Sequence, residues 1–175
     1  MGVRRRHIEQ LVEELLRKHR VEEPPVPIEV VARREGLDIR LEPLDSNLSG
    51  FLYREGSNAI IGANSLQARV RQRFTIAHEL GHYFLHEGEQ LHFDRAVHFR
   101  LRSTLAATGT DTSEVEANRF AAELLMPRTM IDADMNAAKA LDVLDDEFLS
   151  KLSRRFGVSS QAMVLRLTNL GYVEQ

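Results

Sequence analysis

The sequence has no cysteine. Disulfide staples, thiolate metal sites and cysteine nucleophiles are therefore excluded. No apolar run approaches the roughly 18 residues of a membrane span, so none is expected. An apolar leader is missing as well. Arg4-Arg5-Arg6 leads straight into a charged amphipathic pattern, and the expected compartment is the cytoplasm. Charge of one sign is in short supply too: 23 basic residues stand against 26 acidic ones, a net of −3. That balance makes no electrostatic case for nucleic acid. Proline is sparse, and three of the five fall within residues 24–27, where they read as a breaker. What is present is ordinary for a water-soluble chain, with 43% hydrophobic and 28% charged residues. A length of 175 residues suits one domain with a proper core, with room for a small appendage.

The periodicity predicts an α+β fold, mostly helical, with a small sheet of about three strands and a C-terminal helical subdomain. Residues 3–19 carry a helical stripe of Ile8, Leu11, Val12, Leu15 and Leu16, and the triple arginine reads as its solvated start. A short helix is expected from Ile28 to Glu35, closed by Gly36. Leu37 to Leu41 alternates like a strand, and Leu48–Tyr53 with Ala59–Ile61 looks like a hairpin. Asn64, with Gln67, is expected to cap a long helix that reaches about Glu87 and stops at Gly88, with a break near Ala68 as the alternative. Residues 88–112 show no clear period, and their small polar part, Thr104 to Thr112, reads as a mobile loop. Helices are expected at Ser113–Met126 and Thr129–Ala140, then from Asp145 or Asp146 to Phe156, and from Ser159 or Ser160 to Gly171. The expected division places a main domain at 1–140 and a helix-turn-helix-like subdomain packed on it at 141–175.

The long helix holds the chemistry. His78-Glu79-Leu80-Gly81-His82 is the two-histidine zinc signature. At 3.6 residues per turn, His78 and His82 lie one above the other and can grip one ion. Glu79 sits about 100° round the helix, placed to reach a water molecule beside that ion. Gly81 is a poor helix former, and is read as a point where another backbone or a substrate comes close.

A catalytic zinc needs a third protein ligand. The position six residues after His82 is Gly88, so a third histidine there is excluded. His86 lies one turn too far along and reads as a surface or supporting residue. His92 and His98 fall in the aperiodic stretch. Glu114 and Glu116 remain, and either also fits a capping box, with Asp111 or Ser113 respectively. Asn118 follows Glu114 on the same face and can orient a ligand histidine, whereas Glu116 has Phe120 there. Glu114 is therefore preferred, with Glu116 the alternative.

Phe74 to His82, followed by Glu114 to Pro127 with its Glu-x-x-Ala-Asn pattern, resembles the ImmA/IrrE family of metallopeptidases. The likeness extends to Ser49-Gly50-Phe51-Leu52-Tyr53 and to Phe156-Gly157-Val158-Ser159, and covers roughly residues 5–172. Membership implies a compact gluzincin-type, zincin-like domain over 1–140. It implies Zn2+ held by His78, His82 and Glu114, with Glu79 as general base. It also implies cleavage of a partner helix-turn-helix repressor, relieving repression in a phage, mobile-element or stress-response circuit. A sensor domain of the kind carried by radiation-response members is not expected.

The chemistry so implied needs a second electrophile for the tetrahedral oxyanion. Tyr83, Tyr53, His92 and His98 are the candidates. A substrate strand is expected to add to the sheet edge through Phe51 or Leu52. Two other readings compete. One is a non-catalytic, antitoxin-like regulator that uses the metal for structure; retention of Glu79 speaks against it. The other is DNA binding through the last two helices. Residues 145–175 carry four basic and four acidic side chains, so direct nucleic-acid binding is not favoured and a docking role is.

Overall fold

The computed structural model describes residues 3–56, 58–87, 90–95, 109–137 and 145–173. The elements run α1 (Arg5–His19), α2 (Ile28–Arg34), β1 (Leu37–Glu42), β2 (Leu48–Glu55), β3 (Asn58–Asn64), α3 (Arg69–Leu85), β4 (Leu91–Arg95), α4 (Gly109–Leu125), α5 (Arg128–Ala137), α6 (Asp146–Phe156) and α7 (Ser160–Leu170). The α+β expectation holds. The sheet, however, has four strands in the order β1-β3-β2-β4, not about three. The extra strand is β4, which follows α3 rather than preceding it.

The hairpin of β2 and β3 is antiparallel, and β1 runs parallel to β3. On its other side β2 pairs with β4, setting Phe51 opposite Phe93 and Leu52 opposite His92. The expected edge at Phe51 and Leu52 is therefore covered by the chain itself. Among the described residues β1 and β4 are the edge strands, and β4 is the one that carries His92 to the cluster on α3. The Arg54 amide donates to the Gln90 carbonyl, so antiparallel alternation turns the backbone groups of Leu91 and Phe93 outward.

Helix α3 lies against the sheet, and Gly50 makes the approach possible. A β-carbon there would collide with Thr75 of α3 and with the Gly62 carbonyl. Asn64 is buried at the end of β3 instead of capping α3. Its side chain ties down the preceding loop, donating to the Leu44, Asp45 and Leu48 carbonyls and accepting from the Leu44 and Leu66 amides. The helix begins after Ala68, whose side chain makes no cap. It ends at Leu85, short of the expected Glu87.

Helix α4 crosses α3 at Gly81. A β-carbon on Gly81 would sit 3.1 Å from the Ala117 Cα and 3.1 Å from Phe120. The close backbone foreseen at this glycine is that of α4. That helix starts at Gly109, four residues earlier than expected, so Glu114 and Glu116 stand inside it and neither forms a capping box. The loop foreseen at 104–112 is helical from Gly109; residues 96–108, His98 among them, lie outside the described residues.

One apolar cluster joins α1, the sheet, α3, α4 and the C-terminal helices, through Ile8, Leu52, Ile76, Phe120, Phe156 and Leu167 among others. Arg73, on α3, donates to the carbonyls of Val26 and Gly157 and so ties three distant segments. Asp145 and Ser159 cap α6 and α7 as expected, and Gly157 and Gly171 close them with positive φ. No described helix is long and apolar enough to cross a membrane.

Candidate metal centre

His78 and His82 are almost fully buried, and their Nε2 atoms lie 3.1 Å apart. Glu114 reaches them from α4, with one carboxylate oxygen 3.4 Å from His78 Nε2 and the other 3.3 Å from His82 Nε2. A tetrahedral ion with ligands at 2.0–2.2 Å separates any two of them by roughly 3.3 Å. All three observed separations fall near that value, so the donors present fit such an ion. These residues are a group able to hold a metal. Glu116 does not join them; it is engaged with Arg4 and His86.

The surroundings orient the donors. Asn118 Oδ1 lies 3.1 Å from His78 Nδ1, which leaves Nε2 to face Glu114 and His82. Phe74 stacks on the His78 ring. Arg54 of β2 donates to the carbonyls of His82 and His86 at 2.8 and 2.9 Å, pinning the end of α3 to the sheet.

Glu79 is fully buried. One of its oxygens lies 3.1 Å from His92 Nδ1, while Oε1 has no partner within the described structure. Burial pushes its carboxyl above the usual range, although the charges of His92 and His78 work against this. His92, on β4, also sets Nε2 3.1 Å from Glu114 Oε1. Burial pulls its imidazole down, but hydrogen bonds to Glu114 and Glu79 prevail and it is pushed up to about 10. His82 is drawn down to about 4 by burial, aided by the neighbouring His78 and His92. Glu114 is held far below the carboxylate range: burial opposes this, and the hydrogen bonds from three imidazoles overcome it.

Of the other electrophile candidates, Tyr53 is on the face of β2 opposite Leu52, and Tyr83 packs on Phe84 beneath the Arg54 guanidinium. His98 is outside the described residues. Sequence reasoning missed the supporting roles of Arg54 and Arg4, and also Asp94, a partly buried carboxyl on β4 that is raised by burial and lies 3.4 Å from Arg71. No local pattern marks them, because their partners are far along the chain.

A cleft of about 150 Å³ opens on the cluster between Arg54, His82, His86, His92 and Glu114. A larger cavity, about 550 Å³, lies behind Asn118 among α1, α3, α4 and α7 and is lined by none of the imidazoles. The chemistry therefore belongs to the smaller cleft.

Comparison with known proteins agrees with this arrangement. Residues 32–168 match the Peptidase_M78 family, described as the IrrE N-terminal-like domain. The chain is 30% identical over 128 residues to the uncharacterized protein YqaB of Bacillus subtilis (strain 168), covering 71% of this chain and 64% of that one. It is 34% identical over 99 residues to the uncharacterized immunity region protein 2 of Bacillus phage phi105, covering 57% and 58%. The fold matches a Mycobacterium tuberculosis transcriptional regulator with a TM-score of 0.61 and 17% identity, over 93% of this chain and 46% of that one. The chain thus spans about half to two-thirds of the length of these relatives. With the family match running through α3 and α4 together, the chain belongs to the M78 peptidase family, with an IrrE N-terminal-like domain.

Proposed function

We propose that this chain is a zinc-dependent endopeptidase that cleaves a partner helix-turn-helix repressor, relieving transcriptional repression. The observation that carries the reading is the convergence of His78, His82 and Glu114 beside a buried carboxylate, Glu79, whose Oε1 is unpartnered. His78, His82 and Glu114 would hold the ion, with Asn118 orienting His78. Zinc there supplies Lewis-acid polarisation of the scissile carbonyl and acidifies a water molecule. Glu79 Oε1 takes the proton of the attacking water as its oxygen bonds to the carbonyl carbon. The carbon–nitrogen bond then breaks, and Glu79 returns that proton to the leaving amine. We assign His92 the second electrophile, because of the three candidates among the described residues it is the one whose ring touches both Glu79 and Glu114. The open edge of β4 is the place for a substrate strand, through the outward backbone groups of Leu91 and Phe93.

Support for a repressor as substrate comes from the phage immunity-region relative and from membership of a peptidase family. A DNA-binding role for α6 and α7 has less support. Arg166 turns inward to Glu123 at 2.7 Å, while Lys151 and Arg155 are paired with Glu147 and Asp134. Phosphate contact needs free cations on an outward face.

The test is incubation of the purified, zinc-loaded chain with helix-turn-helix repressors from the same genome, any encoded beside it first, with fragments read by mass spectrometry. Glu79→Gln should keep zinc and lower cleavage about 10²–10⁴-fold, the usual worth of a general base. Undiminished cleavage by Glu79→Gln, or an intact partner after exposure to wild type, would defeat the proposal.

A further inference from the structure

His86 stands at the end of α3, one turn beyond His82, and its ring joins two groups. Its Nδ1 lies 3.2 Å from His82 Nδ1, and its Nε2 lies 3.2 Å from Glu116 Oε2. The Glu116 side chain is only 4% exposed. It accepts from the Arg4 amide at 2.9 Å and from the Arg4 guanidinium at 2.7 and 3.1 Å. Arg4 Nη2 also donates to the Leu85 carbonyl, one residue before His86.

Two facing imidazole nitrogens share one proton, so one donates and the other accepts. The far side of each ring decides which. His82 turns Nε2 toward His78 and Glu114. An ion bound there takes the Nε2 lone pair, which leaves the proton of neutral His82 on Nδ1. His82 Nδ1–H then donates to His86 Nδ1, and His86 carries its own proton on Nε2, where Glu116 accepts it. An ionised carboxylate only accepts, so the chain of bonds has one direction.

We infer that His86, Glu116 and Arg4 form a positioning relay that fixes the ring orientation and tautomer of His82, as Asn118 does for His78. The inference rests on the proposed metal reading of the His78, His82 and Glu114 cluster. It gives Glu116 a task other than ligation, and it fastens the start of α1 to the centre of the molecule. Supporting partners of metal-bound histidines raise ligand basicity and restrict ring rotation, and their loss typically weakens metal binding 10–100-fold.

The test measures zinc dissociation constants of the full chain by competition with a chromophoric chelator, alongside melting of the metal-free proteins. His86→Ala should weaken zinc binding 10–100-fold while the metal-free melting temperature stays near that of wild type, because His86 is only partly buried and Glu116 keeps its pairing with Arg4. His86→Asn keeps an acceptor close to the position of Nδ1 and should recover much of the loss. Glu116→Gln should fall between them, since the amide oxygen still accepts from His86 but the charge is gone. A zinc constant for His86→Ala within about twofold of wild type would overturn the relay, being far from the usual cost of such a partner. Equal losses in Ala and Asn variants, each matched by a fall in metal-free stability, would also overturn it and leave His86 a packing residue. A wild-type chain that takes up no zinc would overturn the metal reading itself, and the relay with it.

Discussion

His92 is the residue on which the site's chemistry turns once the ligands are in place. Its ring bridges the carboxylates of Glu79 and Glu114, and its own strand is an edge of the sheet. Replacement by phenylalanine keeps the ring's bulk and removes both donors. His92→Phe should lower kcat about 10²–10³-fold, the cost of losing one oxyanion donor, and should also weaken zinc binding, because Glu114 loses a partner. Steady-state kinetics and a chelator titration check both halves; an unchanged kcat would move the role elsewhere. His78, Glu79 and His82 were legible from sequence because five consecutive residues on one helix specify their geometry. Glu114 was legible only through Asn118 and the family pattern. Arg4 was not legible at all, since its partner Glu116 is 112 positions away and no periodicity connects them. Away from the centre, Glu35 shows how a single carboxylate sets acid stability. Burial pulls its carboxyl up, but Lys18 at 2.7 Å and His19 outweigh burial and hold it below its ordinary 4.5. A depressed carboxyl contributes stability in full above the unfolded value, and loses it as pH falls from about 4.5 through the folded value. Glu35→Gln should therefore lower the melting temperature at neutral pH and flatten its decline below pH 4.5; parallel curves for the two proteins would contradict this.

At the scale of elements, the crossing of α3 and α4 decides whether a site exists. Gly81 sets the distance, because the atoms facing it are the Ala117 backbone and the ring of the fully buried Phe120 rather than the tip of a flexible side chain. Glu114 is one turn before Ala117 on that helix, so a displacement at the crossing is passed to the ligand. Gly81→Ala gains about 1 kcal/mol of helix propensity. Forcing a methyl into a closed contact costs about 1–3 kcal/mol, and here the backbone must yield, so the cost exceeds the gain. The variant should be less stable by up to about 2 kcal/mol and should bind zinc more weakly. Denaturant melts and zinc titration would expose the opposite result, a stabilised variant with unchanged affinity. Periodicity located the helices well, since most carry stripes of buried residues such as Ile8, Val12, Leu15 and Leu16 on α1. It missed β4, whose five residues are too few for an alternation to stand out among charged neighbours. It also misplaced the start of α3. Asn64 has the chemistry of a cap, but the loop before it offers three carbonyls and the Leu44 amide, and the Leu66 amide follows, and that demand takes the side chain away from the helix.

At the scale of the molecule, the candidate centre draws on both ends of the fold. Its donors come from α3 and α4, His92 from β4, and Arg4 braces it from the start of α1. A ligand that binds this assembly and not the unfolded chain stabilises the whole. Free zinc at 100 times its dissociation constant contributes about 2.7 kcal/mol. For a chain of this size each kcal/mol moves the melting temperature by about 2–4 °C, so chelation should lower it by about 5–10 °C. Returning zinc should restore it. His78→Ala removes a donor and should abolish the difference. Glu79→Gln leaves every donor in place and should retain it, even with cleavage lost. Calorimetry on the three proteins with and without chelator separates folding from catalysis. A zinc-dependent shift that survives in His78→Ala would mean that the ion stabilises the chain from some other place.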